Sequence, residues 1–193
     1  MKKTLVLASS NAHKLKEIRE ILTDFNVVSC KEAGFVGEIE ETGKTFFENA
    51  LIKAKTVSDS LGVIALGDDS GLSVKALGGA PGIYSARYAG DGVDRHNCEL
   101  LLKNMSGVKD RKAEFTCCMV LYFPNGKVIG ATGVSEGKIL EEFNGQNGFG
   151  YDPIFYSDEL KKCFGVATAE EKNSVSHRFK ALTKLKDEIN KNK

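Results

Sequence analysis

Residues 63–66, Val63-Ile64-Ala65-Leu66, are an unbroken apolar run that ends on Gly67 and two adjacent carboxylates, Asp68 and Asp69, before Ser70, Gly71 and Leu72. A run of that length reads as a short buried strand, followed by an acidic strand end and a Ser-Gly turn. In an α/β sheet, ligands bind beyond the carboxyl ends of the strands. Neighbouring residues of a strand face opposite ways, so Asp68 and Asp69 are expected to do different jobs. A carboxylate at such a place suits a divalent cation or the activation of a water. Asp, Ser and Gly are also ordinary turn formers, and residues 66–72 alone do not choose between site and solvated turn.

The rest of the sequence narrows the choice. A chain of 193 residues buries one sizeable core, so one domain over 1–193, with two lobes, is expected. Its 41% apolar and 27% charged residues are those of an ordinary globular protein. The formal net charge of +1 gives no reason to expect a nucleic-acid or membrane partner, while leaving room for a local basic patch around a small anion. Five cysteines, at 30, 98, 117, 118 and 163, are odd in number and lack metal-ligand spacing, so they read as reduced thiols. No apolar run approaches a membrane span, and Lys2-Lys3 leads straight into a strand. A cytoplasmic, soluble protein is expected.

The first strand, residues 4–8, passes through Ser9-Ser10-Asn11 into a helical period carried by Leu15, Ile18, Ile21 and Leu22. Such a junction offers free backbone N–H groups, an anion site in waiting. Lys14 lies in the first turn, where a cation is unfavourable for the helix and better explained by a nearby phosphate; a plain Asn11 cap with a solvated Lys14 is the alternative. A second strand is expected over 26–30. Thr45 and Glu48 then form a capping box before a long helix, with a buried stripe of Phe47, Ala50, Leu51, Ala54, Val57 and Leu61 and a stop at Gly62. Asn49 and Lys53, four apart, fall on another face. Glu40 and Glu41 stand just ahead, either favouring the helix N-terminus or adding a metal carboxylate.

Beyond the acidic pair, the glycine-rich stretch 78–92 forms an irregular loop that buries Ile83, Tyr84 and Tyr88, and residues 94–105 form a helix with His96 on its surface. Residues 115–123 alternate as a long strand, with Cys117 and Cys118 as packing residues, and Pro124-Asn125-Gly126-Lys127 marks a hairpin. The return strand spans 128–134, and a further one begins at 137–140. A second glycine-rich loop, 145–153, holds Phe149, Tyr151 and Asp152. The last helix starts near Ser176, with Phe179, Leu182, Leu185 and Ile189 on one face and a tail expected to fray.

These segments together resemble the inosine triphosphate pyrophosphatase family, the Ham1-like nucleotide diphosphatases. The resemblance rests on five motifs in order: Ser9 to Lys14; Glu40 to Asn49; Asp68 to Leu72 with Gly78 to Tyr88; Phe149 to Pro153; and Lys172 to Arg178. It implies hydrolysis of inosine, deoxyinosine and xanthosine triphosphates to the monophosphate and pyrophosphate, with Mg²⁺. It implies an elongated two-lobed α/β fold, a central mixed sheet flanked by helices with a substrate cleft between the lobes, working as a homodimer. On the matching positions, Ser9, Asn11 and Lys14 would hold phosphates, with Lys53 nearby. Glu41 and Asp69 would serve the metal, and Asp69 would accept the proton of the attacking water. Ser70 would touch substrate, Phe149 would stack on the base with Gly150, Tyr151 and Asp152 along its edge, and Lys172, His177 and Arg178 would complete the phosphate and base contacts. Arg178 is expected to donate to the 6-oxo edge of the purine.

Triphosphate chemistry needs just such parts: cations against phosphates, carboxylates for Mg²⁺ and an oriented water. The sequence departs from the family pattern at His13, at Gly67 where alanine is common, and at Cys163-Phe164-Gly165-Val166, where a glutamate is usual at the last position. The rival readings are a Maf-like pyrophosphatase for other nucleotides and a nucleotide-binding protein without catalysis.

Overall fold

The computed structural model describes residues 2–191. A strand, β1 (Lys3–Leu7), crosses over through a helix, α1 (Ala12–Ile21), to β2 (Phe25–Ser29), which lies parallel to it with Lys3 opposite Phe25 and Leu7 opposite Ser29. A long helix, α2 (Phe46–Leu61), returns the chain to β3 (Ala65–Val74), parallel to β1 on its other edge with Leu7 opposite Leu66. After α3 (Asp94–Asn104) come β4 (Lys112–Tyr122) and β5 (Val128–Ile139), then the short β6 (Phe155–Ser157) and β7 (Lys162–Cys163), and finally α4 (Ala169–Val175) and α5 (His177–Lys191). The sheet order is β2-β1-β3-β4-β5-β6-β7. Its β2-β1-β3 ladders are parallel and its β5-β6-β7 ladders antiparallel, so this is a mixed α/β sheet flanked by helices.

The chain divides into two compact units. One takes the described residues up to Asp69, Cys117–Gly133 and those from Arg178 onward; the other takes Ser70–Thr116 and Val134–His177. The first has a core of Leu5, Leu7, Ile18, Leu66, Met119, Leu182 and Leu185. The second is built on Leu72, Leu101, Met105, Phe115, Ile154, Phe155 and Phe164. All five cysteines are buried free thiols. Among the described residues no helix is long and apolar enough to cross a membrane.

Several expectations change here. Asp68 and Asp69 do not end a strand: β3 runs straight through them and through Ser70-Gly71, with no turn. As an inner strand between β1 and β4, it has neighbours on both edges to meet its backbone groups, and that pairing overrides the turn propensity of Asp, Ser and Gly. The return strand is one element of twelve residues and not two. The buried stripe of α2 includes Asn49 and Lys53, whereas Phe47 is 43% exposed. The box at its start is half-formed: Thr45 Oγ1 accepts the Glu48 N–H, but Glu48 Oε2 accepts from Lys44. A complete box, unforeseen, opens α4, where Thr168 and Glu171 cap each other. Tyr84 is exposed and not buried. At the C-terminus, α5 continues to Lys191; the remainder of the tail expected to fray, 192 and 193, lies outside the described residues.

Candidate active site

Asp68 and Asp69 do face different surroundings, as the alternation of a strand requires. Asp68 is completely buried. Its Oδ1 meets Lys14 Nζ at 2.6 Å and its Oδ2 meets Arg178 Nε at 2.8 Å. Arg178, itself 1% exposed, also pairs with Glu17 of α1. Burial favours a protonated Asp68, but the charges of Arg178 and Lys14 outweigh it and hold the carboxyl well below its ordinary range. Burial likewise opposes the charge on Arg178, and Asp68 with Glu17 overcomes that, so the guanidinium stays charged. Cys117 Sγ lies 3.6 Å from Asp68 Oδ2; burial, then the Asp68 charge, pushes its thiol up and keeps it protonated.

Asp69 looks onto α2. Its Oδ1 accepts from Lys53 Nζ at 2.7 Å, and the same ammonium reaches Glu41 Oε1 at 2.8 Å. Asn49 Nδ2 stands 3.3 Å from Asp69 Oδ2, while Asn49 Oδ1 accepts the Gly43 N–H at 2.8 Å. Asn49 thus ties the acidic loop that carries Glu41 to the strand that carries Asp69. Burial pushes the Asp69 carboxyl up, against the pull of Lys53 and with the help of Glu41. Lys53 is drawn up in turn, because its two carboxylates outweigh its own burial. The approach of α2 to β3 depends on Gly67: a Cβ there would run into the carbonyl oxygen of Ala50 and sit 3.2 Å from Ala54 Cβ.

At the start of α1, Asn11 is the helix cap, its Oδ1 accepting the N–H groups of His13 and Lys14 at 3.0 and 3.1 Å. Ser9 Oγ accepts the Asn11 N–H at 3.1 Å. The first-turn cation, for which the sequence suggests a nearby phosphate, has Asp68 as its counter-ion and is not simply solvated. His13 is exposed.

The second unit gathers another set. Phe149 is half-buried, with Lys172 Nζ 4.6 Å from its ring centroid. Asp152 Oδ2 accepts from Lys172 Nζ at 2.6 Å and from the Phe149 N–H at 2.8 Å, so one buried carboxylate fixes both the ring's backbone and the cation on its face. The Tyr151 side chain belongs to the core, its hydroxyl donating to the Ser85 carbonyl at 2.8 Å. His177 opens α5 with its ring flat on Phe115, 4.8 Å between centroids. Ser70 follows the acidic pair in β3, half-buried.

The structure thus brings Lys14 and Arg178 to Asp68, Glu41 and Lys53 to Asp69, and Phe149 to Asp152 and Lys172. Sequence reasoning passed over Glu17 and gave Asn49 no role. Glu17 lies one helical turn past Lys14 and Asn49 one turn before Lys53, so helical spacing from the lysines was the available signal.

Fold and side chains define a mixed-sheet α/β protein whose third strand carries two buried carboxylates, each standing on a lysine. The chain belongs to the Ham1 family, whose model matches residues 5–188. It is 51% identical to the dITP/XTP pyrophosphatase of Clostridium perfringens over 97% of both chains. It is 49% identical to that of Desulfotalea psychrophila, over 95% of this chain and 84% of the relative. Among solved structures, the Ham1 protein of Staphylococcus aureus superposes with a TM-score of 0.89 at 39% identity, over 99% of this chain and 100% of that one. A Ham1 protein from Coxiella burnetii gives 0.89 at 40% identity, over 98% and 99%.

Proposed function

We propose that this chain hydrolyses inosine, deoxyinosine and xanthosine triphosphates to the monophosphate and pyrophosphate, and so removes non-standard purines from the nucleotide pool. The observation that carries this reading is the set of Asp69, Glu41 and Lys53. A buried carboxylate whose affinity for a proton is raised shares one ammonium with a second carboxylate, which is what a general base beside a cation position requires. The names of the relatives supply the substrate class.

Water adds across the bond between the first and second phosphates: its oxygen bonds to phosphorus, the bridging oxygen leaves with pyrophosphate, and Asp69 takes the proton. Lys14 and Lys53, with Ser9 and Asn11 at the start of α1, meet the phosphates. Phe149 offers its half-exposed ring to the base, and Lys172 with Asp152 keeps that ring in place. His177 and Arg178 complete the contacts, Arg178 by fixing Asp68 and Lys14.

The donors fit Mg²⁺. Glu41 and Asp69 supply hard oxygens close enough to share a single ammonium. Mg²⁺ typically takes one or two carboxylates and leaves its other positions to water and phosphates. Among the described residues no set of three or more His, Cys, Asp or Glu side chains is placed for a metal; the reading needs only the two carboxylates. When bound, the ion would neutralise charge developing on the phosphates. The protein would work in the cytoplasm as a homodimer without a nucleic-acid partner; the family resemblance supports the dimer, and the near-neutral charge argues against nucleic acid.

Pyrophosphate release from inosine, xanthosine, adenosine, guanosine, thymidine and uridine triphosphates, with and without Mg²⁺, tests the reading. Preference for the inosine and xanthosine forms is expected. Preference for thymidine and uridine would make the Maf-like alternative correct, and binding without release would make the protein a non-catalytic nucleotide binder. Sedimentation equilibrium decides the dimer.

A further inference from the structure

One face of α3 holds the loop that carries Phe149. Asp94 Oδ2, in the first turn, accepts the Gly150 N–H at 2.7 Å. One turn on, the buried Cys98 Sγ lies 3.3 Å from the Gly150 carbonyl oxygen. The peptide groups on both sides of Gly150 are therefore held by side chains four residues apart on one helix. Gly150 has φ +59°, a left-handed conformation that glycine enters without steric cost and leaves as freely, so outside partners are what fix it. Between these two, Asn97 accepts the Ala89 N–H at 2.7 Å, so the same face also braces the neighbouring glycine-rich segment, to which Tyr151 ties the loop through the Ser85 carbonyl. Burial, then the Asp94 charge, pushes the Cys98 thiol up to about 12, so it remains a protonated donor.

We propose that Asp94 is a positioning residue for base recognition: with Cys98 it fixes the Gly150 peptides and thereby the place of the Phe149 ring. The inference rests on the reading that Phe149 takes the purine. A simpler role for Asp94 is its favourable charge at a helix N-terminus. Asparagine at this position keeps the acceptor oxygen and loses the charge, so it separates the two.

The experiment compares parent, Asp94→Ala and Asp94→Asn by three readouts: amide exchange at Gly150 by NMR, KM and kcat for inosine triphosphate, and inhibition by inorganic tripolyphosphate, which has no base. In Asp94→Ala, Gly150 should exchange about tenfold faster, the worth of one hydrogen bond. KM for inosine triphosphate should rise several-fold with tripolyphosphate inhibition unchanged, and Asp94→Asn should restore both. Unchanged exchange, unchanged KM, an equal weakening of tripolyphosphate, or an asparagine variant as impaired as alanine would each overturn the proposal. A parent protein that leaves inosine triphosphate intact refutes the reading of the site instead, and Gly150 exchange then decides whether Asp94 holds the loop.

Discussion

Arg178 of α5 donates from Nε to Asp68 Oδ2 of β3 at 2.8 Å, and neither side chain is more than 1% exposed. With Glu17 as a further partner, the guanidinium is committed inside the protein, which bears on its expected role as a donor to the purine. Removing either member takes a counter-ion from a buried network, in which Asp68 then relies on Lys14 or Arg178 on Glu17, at a cost of about 3–5 kcal/mol. Arg178→Ala and Asp68→Asn should each lose that much stability in urea, which for a chain of this size lowers Tm by roughly 10 °C. A variant of normal stability with altered base selectivity would return Arg178 to the role the sequence suggested.

Asp69→Asn should keep the fold, because Lys53 retains Glu41 and Asn49 retains Gly43. Turnover of inosine triphosphate with Mg²⁺ should fall by about 10²–10⁴-fold, the usual worth of a general base. Near-parental turnover would move the base elsewhere, with Glu41 the next to test.

Lys14→Met separates phosphate binding from structure. Lys14 is 15% exposed, and Asp68 still has Arg178 when it is gone, so the protein should stay folded. KM for the triphosphate should rise and turnover slow, since a cation at a helix N-terminus is lost from the phosphates. Kinetics unchanged at low substrate would leave Lys14 as only a counter-ion to Asp68.

Much of this was legible in the sequence for local reasons. The strand–helix start, the Thr45 cap and the Gly62 stop of α2 are set by neighbours within four residues, and they lie where the pattern puts them. The partners of Asp68 are 54 and 110 positions away, and no periodicity reports them. The same holds for β3: Asp68-Asp69-Ser70-Gly71 carries turn chemistry, and only pairing with strands remote in sequence keeps it extended. Asn49 and Lys53 were assigned to another face because polar residues are expected outside; a buried carboxylate reverses that rule. The helix α4 went unseen because seven residues are too few to show a period.

Gly67→Ala tests the fit of α2 against β3. The new methyl would meet the Ala50 carbonyl, backbone that has no rotamer to change, so α2 must move. Overpacking of this kind costs about 1–3 kcal/mol. Because Asn49 and Lys53 ride on α2, kcat should fall with Tm. A variant of full stability and activity would show that the helix has room to shift.

Asp152 and Lys172 offer a cleaner separation of stability from recognition. The pair is buried, 2.6 Å apart, and Lys172 also lies on the Phe149 ring. Lys172→Met leaves the Asp152 carboxylate with the Phe149 N–H; Asp152→Asn leaves a buried ammonium facing a neutral amide. Each single change should cost about 3–5 kcal/mol, since a charge loses its counter-ion without gaining water. Changing both removes the charge that has lost its counter-ion, so the double variant should be more stable than the sum of the two losses predicts. Recognition should not recover with stability. The cation is gone from the ring face in the double variant, so KM for inosine triphosphate should stay raised while inhibition by tripolyphosphate remains parental. Urea titrations of the four proteins give the coupling, and the two kinetic constants give the recognition. If KM recovers along with stability in the double variant, the pair serves the fold alone, and Phe149 does not depend on Lys172 to meet the base.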